Sequence, residues 1–277
     1  MTQRAILITG CSSGIGFDAA HALARRGWRV FATCRKPADC ARLRDEGLES
    51  FVLDHDDAAT IATAVTEATA RTGGTLDAVF ANAGYGMPVA VEDLPTEALR
   101  AMFETNLFGV HELVRRVIPV MRAQGHGRIV LCSSALGLAA IRWRAPYTAS
   151  KFALEGYADT LRLELAPANI HTVLIEPGPI TTAFRANTRP HFERWVDWQN
   201  SRLRAVYEAE ILPRYAAGDS LRDPFERPAS AVTAKLIRAL DAPRPRARYA
   251  ITLPAHLNAV ARRVLPTRLT DYIRRRI

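Results

Sequence analysis

Short apolar runs alternate with segments of helical period along the first two thirds of this 277-residue chain. Two of the helical segments read GFDAAHALARRG and DAATIATAVTEATART. The runs lack polar alternation, which indicates strands buried on both faces and therefore a parallel sheet covered by helices on each side. Right-handed crossovers of this length predict an α/β fold, a single doubly wound Rossmann-type sheet that binds ligands beyond the carboxyl ends of its strands. The predicted strands are 5–9, 29–33, 50–54, 76–82, 127–133 and 170–177.

The chain shows neither an internal repeat nor a linker-like tract, so we expect residues 1–277 to form one domain. The strand–helix alternation stops after Pro179, and residues 180–228 are longer than an ordinary loop. Their aromatic side chains are typical of a helical flap that closes over a binding cleft, and equally of ordinary packing by short helices. These side chains are Phe184, Phe192, Trp195, Trp198 and Tyr207.

The formal net charge of +9 is concentrated at the C-terminus, because residues 243–277 hold nine arginines and a single acid. That distribution argues against a nucleic-acid partner, which needs basic side chains spread over one reading face. Residues 254–277 form a basic amphipathic segment that could pack on its own domain, on a partner subunit or peripherally on an anionic membrane. Its apolar side chains are Leu257, Val260, Ala261, Val264, Leu269, Tyr272 and Ile273.

The sequence predicts a cytoplasmic location. No apolar run approaches the roughly 18 residues that span a bilayer, and MTQRAILITG enters a strand-like run with no room for a signal peptide. The cysteines lack a metal-ligand spacing such as CxxC, so we expect buried free thiols in a reducing compartment and no bound metal. They are Cys11, Cys34, Cys40 and Cys132.

A glycine-rich turn, ILITGCSSGIGFDAA, joins the first predicted strand to the first predicted helix. Gly10, Gly14 and Gly16 permit a tight turn and a close approach of the backbone to a pyrophosphate. The start of the helix offers unpaired N–H groups and the positive end of its dipole to an anion. A glycine-rich turn without a ligand is the alternative, but the strand–turn–helix context favours dinucleotide binding.

The glycine spacing Gly-x-x-x-Gly-x-Gly resembles that of the short-chain dehydrogenase/reductase family, and further motifs follow in that family's order. They are NAG at 82–84, the asparagine of MFETNLFG, the serine of IVLCSSALG, YTASK at 147–151 and EPGPITT at 176–182. The resemblance covers residues 5–182 and implies an oxidoreductase that forms homo-oligomers.

Tyr147 and Lys151 lie four residues apart and therefore on one face of a predicted helix. Taken alone, they fit an exposed surface pair; the resemblance makes them the catalytic acid/base and its cationic neighbour. An ammonium, together with an oxidised nicotinamide, stabilises a phenolate, so we expect the pKa of Tyr147 to be lowered from about 10. The resemblance further implies that Lys151 holds the nicotinamide ribose, that Ser134 hydrogen-bonds the substrate oxygen and that Asn106 supports a water-mediated proton path.

The end of the second strand carries Cys34 where the family has an acid, followed by Arg35 and Lys36. An acid there would bind the ribose diol of NAD, whereas an arginine can bind the 2′-phosphate of NADP in a bidentate manner. We therefore predict NADP(H), the alternative being an arginine that merely faces solvent. Asp54 matches the adenine-contacting acid of the family. The predicted cofactor contacts are Gly10, Ser12, Ser13, Gly14, Ile15, Gly16, Arg35, Lys36, Asp54, Asn82, Ala83, Gly84, Tyr147, Lys151, Pro177, Gly178, Ile180 and Thr182.

Apolar residues near the predicted site, Leu136, Leu138 and Trp143 among them, show no obvious charged clamp for a polar substrate. We therefore predict hydride transfer between NADP(H) and a lipophilic carbonyl or alcohol. The segments CRKP, EPGPITTAF and RYAITLPAH resemble bacterial reductases related to retinol and 17β-hydroxysteroid dehydrogenases. A non-catalytic NADP-binding regulatory relative is the alternative, and the presence of Ser134 with the Tyr147–Lys151 pair argues against it.

Overall fold

A computed structural model describes residues 3–217 and 222–274. Its strands are β1 Ala5–Thr9, β2 Arg29–Cys34, β3 Glu49–Val52, β4 Ala78–Ala81, β5 Gly127–Cys132, β6 Ile170–Glu176, β7 Ile180–Thr181, β8 Arg227–Pro228 and β9 Arg248–Ala250. Seven of them form one parallel sheet in the order β3-β2-β1-β4-β5-β6-β9, and β7 pairs with β8 separately. The predicted doubly wound parallel sheet is confirmed.

The helices lie between the strands and beyond them. They are α1 Gly14–Arg25, α2 Pro37–Asp45, α3 Ala58–Arg71, α4 Thr96–Phe103, α5 Gly109–Gln124, α6 Ala145–Leu165, α7 Phe184–Trp195, α8 Arg204–Val206, α9 Leu212–Ala216, α10 Ala229–Asp241, α11 Leu253–Val264 and α12 Thr267–Arg274. Short 3₁₀ turns cover Val91–Asp93, Ala135–Gly137, Ala166–Ala168 and Trp198–Asn200, and π-helical turns cover Glu104–Phe108 and Tyr207–Ile211.

Each face of the sheet carries its own apolar core. Leu7 and Phe31 point to one face, where side chains of α3, α5 and α6 complete the cluster. Ile6 and Ile8 point to the other face and pack with side chains of α1, α2 and α10. Alternate residues of β1 therefore serve opposite layers, which is why the strand reads as a continuous apolar run.

All six predicted strands are present, with ends that differ by at most two residues from the structure. The seventh, β9, was not predicted. It is three residues long and pairs with β6 in the register Leu174↔Arg248, Ile175↔Tyr249 and Glu176↔Ala250. Only Tyr249 of the three is fully buried, so this edge strand lacks the apolar run that marks the others.

The strand order reverses beside β1, which pairs with both β2 and β4. The chain leaves β1 toward one face of the sheet and β4 toward the other, so a crevice opens at the carboxyl ends of these two strands. Gly10–Gly16 and Asn82–Gly84 follow β1 and β4 at this point. The fold therefore brings the two predicted cofactor motifs together.

Residues from 180–228 build a third apolar cluster with the segment that follows β4. Phe192 and Tyr207 are its largest buried side chains. The Tyr207 hydroxyl donates to Asp93 Oδ2 at 2.8 Å and accepts from the Ala90 N–H at 3.0 Å. The aromatic side chains of this segment therefore pack in an ordinary apolar cluster, and that cluster includes the segment that follows the carboxyl end of β4.

The C-terminal helices α11 and α12 present an apolar stripe to solvent. Leu257, Val260 and Val264 are 60%, 59% and 67% exposed. These three side chains therefore do not pack on their own domain, although Ala255 of α11 is buried and Arg262 donates to the Gly137 carbonyl at 3.0 Å. No helix within the described ranges combines the length and the apolar character that crossing a bilayer requires.

Candidate active site

The glycine turn after β1 has a geometry that strongly favours glycine. Gly10 and Gly14 adopt φ of +73° and +62°, in the left-handed region. A Cβ on Gly16 would lie 2.3 Å from the Gly10 carbonyl oxygen. Ser13 caps α1 in an extended conformation, and its side chain makes no capping hydrogen bond. The first N–H groups of α1 are thus left to a ligand, and the turn fits a pyrophosphate.

Asn82 and Thr9 hold this turn against the end of β4. The Asn82 amide nitrogen donates to the Thr9 carbonyl oxygen at 3.0 Å, and Thr9 Oγ1 accepts from the backbone N–H groups of Asn82 and Ala83, both at 3.0 Å. The Asn82 side chain therefore positions the turn. Thr9 does the same from β1, a role that the sequence analysis missed.

The segment that follows β6 closes the crevice from the other side. A Cβ on Gly14 would lie 3.1 Å from the Thr182 side chain, so Thr182 lies directly over the glycine turn. The Pro177 carbonyl accepts from the Ala135 N–H at 2.7 Å. A Cβ on Gly178 would lie 2.0 Å from Thr252 Oγ1, so the close approach of this segment to the start of α11 requires glycine.

Ser12 and Ile15 complete the set around the turn. The Ser12 carbonyl accepts from Arg42 Nη2 at 2.7 Å, which ties the turn to α2. Ile15 and Ile180 are partly buried and pack against the core on this face of the sheet. Their side chains therefore support the walls of the crevice.

Arg35 and Lys36 are exposed at the carboxyl end of β2, where Lys36 precedes α2. Within the described ranges, no carboxylate lies within 4.0 Å of the Arg35 guanidinium. Burial lowers the pKa of His191 of α7, and the positive charge of Arg35 acts in the same direction. Asp54 follows β3 and accepts from the Asp56 N–H at 3.1 Å.

The predicted catalytic pair lies on α6, one turn apart. Lys151 Nζ is 5.7 Å from the centre of the Tyr147 ring and donates to the Cys132 carbonyl at 2.7 Å. A Cβ on Gly84 would lie 3.7 Å from Nζ, so Gly84 and the ammonium are close neighbours. The ammonium is buried between the ends of β4 and β5.

The pKa of Tyr147 is raised well above its usual range because burial penalises the phenolate. The Ser134 hydroxyl and the Arg144 charge act in the opposite direction. Burial also lowers the pKa of Lys151. The lowering of the Tyr147 pKa that we expect from Lys151 together with an oxidised nicotinamide is therefore not produced by the protein alone.

Ser134 lies two residues after β5 and caps the 3₁₀ turn Ala135–Gly137. Its hydroxyl accepts from the Leu136 N–H at 3.0 Å and lies 3.5 Å from the Pro177 carbonyl oxygen. These contacts fix the orientation of the side chain. Against the larger effect of burial, the same hydroxyl lowers the pKa of Tyr147. The structure thus brings together the predicted serine and tyrosine.

Asn106 occupies the π-helical turn Glu104–Phe108, a local widening that is frequent at functional sites. Its Oδ1 accepts from the Tyr85 N–H at 3.0 Å, and its Nδ2 donates to the Tyr85 carbonyl at 2.9 Å and to Ser150 Oγ at 3.0 Å. Ser150 Oγ in turn donates to the Tyr147 carbonyl at 2.8 Å. Asn106 therefore positions the helix turn that carries Tyr147, and the water-mediated path stays a prediction.

Two further side chains border Tyr147. The Phe184 ring of α7 meets the Tyr147 ring edge-on, with centroids 5.8 Å apart. Gly86 leaves room for both, because a Cβ there would lie 3.2 Å from Phe184 and 3.3 Å from Tyr147. Arg144 was not singled out in the sequence, although its spacing of three residues from Tyr147 places both on neighbouring helix positions.

Known proteins share both the sequence and the fold. A family model described as short chain dehydrogenase matches residues 4–193. The "Uncharacterized oxidoreductase YbbO" of Escherichia coli is 37% identical over 271 residues, which cover 98% of this chain and 94% of the relative. Human 17-beta-hydroxysteroid dehydrogenase type 1 is 31% identical over 265 residues, with 91% and 78% coverage.

Among solved structures, an actinorhodin polyketide ketoreductase with NADPH matches with a TM-score of 0.73 at 27% identity, covering 92% of this chain and 97% of its own. The match to the family model and the glycine turn, serine, tyrosine and lysine described above support one assignment. The chain is therefore an oxidoreductase that belongs to the short-chain dehydrogenase family.

Proposed function

We propose that this protein is an NADP(H)-dependent oxidoreductase that interconverts lipophilic carbonyl compounds and their alcohols, with Tyr147 as the acid/base. The observation that carries this proposal is the convergence of Tyr147, Ser134 and Lys151 beside the glycine turn. A glycine turn alone would serve binding. A phenol, a hydroxyl and an ammonium beside it supply what proton transfer to a carbonyl oxygen needs.

The cofactor preference rests on Arg35. Solved structures of similar chains hold NADH in one case and NADPH in another, so the family alone does not choose between them. Arg35 and Lys36 are exposed directly after Cys34, which occupies the position of the acid that would bind the ribose diol of NAD, and a guanidinium suits a phosphate. When bound, the nicotinamide would supply the hydride. Gly10–Gly16, Asn82–Gly84 and residues 177–182 would hold it.

Proton transfer in the reduction is assigned to Tyr147. Because burial raises its pKa, the phenol is protonated at neutral pH and able to donate to the carbonyl oxygen. Ser134 would hydrogen-bond the same oxygen and stabilise the charge that develops there. Lys151 would bind the ribose, and its buried ammonium would favour the phenolate left after the transfer.

The substrate cleft is proposed to lie under residues 180–228. Phe184 contacts Tyr147, and the third apolar cluster continues from there through Trp143, Trp195 and Trp198. A cleft with aromatic walls favours substrates with apolar bodies. We further propose that residues 1–277 act as one domain, with 180–228 as its flap and 254–277 as its C-terminal basic amphipathic segment.

We propose a cytoplasmic homo-oligomer. All four cysteines are free and buried, which suits a reducing compartment. The exposed stripe of α11 and α12 is available to a second copy, and its arginines make peripheral membrane contact the competing use. Sedimentation velocity and vesicle flotation with anionic lipid would separate the two.

A panel of aldehydes, ketones and alcohols assayed with NADPH, NADH and their oxidised forms tests the function. We expect NADPH-dependent reduction of apolar aldehydes or ketones. Tight NADPH binding without turnover of any panel member would favour the non-catalytic regulatory relative instead.

A further inference from the structure

Arg144 occupies the position directly before α6, three residues ahead of Tyr147. Its backbone is fixed on both sides. The Arg144 carbonyl accepts from the Thr148 N–H at 2.8 Å, and Arg144 forms a bridge with Val89 of the segment after β4. The residue therefore sits at a rigid point where that segment, α6 and residues 180–228 meet.

The side chain of Arg144 is partly buried and its charge acts on both the Tyr147 and the Tyr215 phenols. Tyr215 belongs to α9, and its hydroxyl accepts from Thr188 Oγ1 of α7 at 3.3 Å. Arg144 thus lies beside the proposed acid/base, and its bridge partner Val89 belongs to the third apolar cluster. Both tyrosines also belong to the third apolar cluster.

The charge of Arg144 is not compensated within the part of the chain that the structure describes, where no carboxylate lies within 4.0 Å of its guanidinium. The carboxylate of Asp223 raises the pKa of Arg144, but this carboxylate already accepts from Arg185 at 3.0 Å and from Arg214 at 2.5 Å. Burial lowers the pKa of Arg144, and the neighbouring charge of Arg214 acts in the same direction. Partly buried cations without a partner are costly, and a site that keeps one favours an anionic ligand.

We propose that Arg144 recognises a carboxylate carried by the substrate, so that the preferred substrates are carbonyl compounds with an apolar body and an acidic group. This inference rests on the proposed function. A single guanidinium matches a singly charged carboxylate in charge and in its planar, bidentate geometry. The surrounding aromatic cluster suits the hydrocarbon part of such a molecule. The proposal thus adds one charged contact to the cleft that the sequence predicts to be apolar.

A matched pair of substrates tests the proposal: 4-carboxybenzaldehyde and its methyl ester, which share the reacting aldehyde and the ring. We expect the wild-type enzyme to reduce the acid with a kcat/KM roughly ten- to a hundredfold higher than that of the ester, the range for a charged hydrogen bond. Arg144→Gln should abolish this preference by lowering kcat/KM for the acid while kcat/KM for the ester stays unchanged. Arg144→Lys should retain part of the preference. Equal kcat/KM for acid and ester in the wild type would overturn the proposal.

Arg142→Gln is the matched control, because Arg142 lies two residues away, is exposed and pairs with Glu210 at 3.7 Å. It removes the same charge and should leave the acid preference intact. A structural role of Arg144, or an action only through Tyr147, predicts a different result. In that case Arg144→Gln would lower the kcat/KM of acid and ester equally or shift the pH profile of both, which would also overturn the proposal.

Binding measurements separate this inference from the proposed function. Benzoate, titrated by calorimetry into the complex of enzyme and NADP, should bind the wild type at least about tenfold more tightly than Arg144→Gln. Benzyl alcohol should bind both equally. If no carbonyl is reduced but benzoate binding depends on Arg144, the proposed function fails and the anion site stands. If aldehydes are reduced and benzoate binding ignores Arg144, the anion site fails alone.

Discussion

Replacing Arg35 with alanine is expected to separate the two nicotinamide cofactors. The guanidinium is exposed and has no carboxylate partner among the described residues, so its truncation breaks no internal ion pair. The lost interaction is then that with the 2′-phosphate, which only NADPH carries. A hydrogen bond to a charged group contributes about 1.5–3 kcal/mol, and exposure to solvent favours the lower end. We therefore expect roughly tenfold weaker NADPH binding and unchanged NADH binding.

The assay is equilibrium titration of each reduced cofactor by fluorescence, for the wild type and for Arg35→Ala. Arg25→Ala serves as the control, since Arg25 is exposed at the end of α1 and removes an equal charge. NADPH and NADH should both bind Arg25→Ala as they bind the wild type. Equal losses of both cofactors in Arg35→Ala, or no loss of NADPH, would refute the assignment of Arg35 to the phosphate.

Three further predictions address the turn, the flap and the proton. Gly16→Ala would place a Cβ 2.3 Å from the Gly10 carbonyl oxygen, so we expect a lower melting temperature and a free energy of unfolding smaller by about 1–3 kcal/mol. NADPH binding should weaken as well, and an NADPH titration unchanged from the wild type would contradict the proposed turn geometry. Phe184→Ala should raise KM for long-chain aldehydes more than for short ones, with Trp195→Ala compared alongside, and a uniform loss across chain lengths would speak against an apolar flap. Because burial raises the Tyr147 pKa above its usual value near 10, the phenol stays protonated across the neutral pH range. We therefore expect kcat/KM for reduction to stay flat from about pH 6 to 9 and kcat/KM for oxidation to rise with pH. A rate of reduction that falls near pH 7 would contradict this.

The sheet could be predicted from sequence because its central strands are buried on both faces. Leu7 and Ile8 of β1 face opposite cores, so the strand is apolar from Ala5 to Ile8 and the run is easily recognised. The edge strand β9 has only Tyr249 fully buried, and its three residues give no such signal. Strands buried on both faces could therefore be predicted from the sequence. The prediction missed β9, which is short and has a single buried residue.

The candidate site divides in the same way. The spacing of Tyr147 and Lys151 on a helix follows from local geometry, and the structure reproduces it. The role of Asn106 depends on a π-helical turn, which periodicity does not reveal. The isolation of Arg144 depends on which carboxylates other segments bring near, so it is a property of tertiary packing that no local pattern could show.

The most direct test of the central claim is to measure NADPH binding and carbonyl reduction side by side in Tyr147→Phe. The substitution removes the phenolic hydroxyl while keeping the ring that packs against Phe184. Positioned acid catalysis contributes about 10²- to 10⁴-fold. The account predicts NADPH binding within about twofold of the wild type and reduction at least about a hundredfold slower. Near-wild-type reduction by this variant would contradict it.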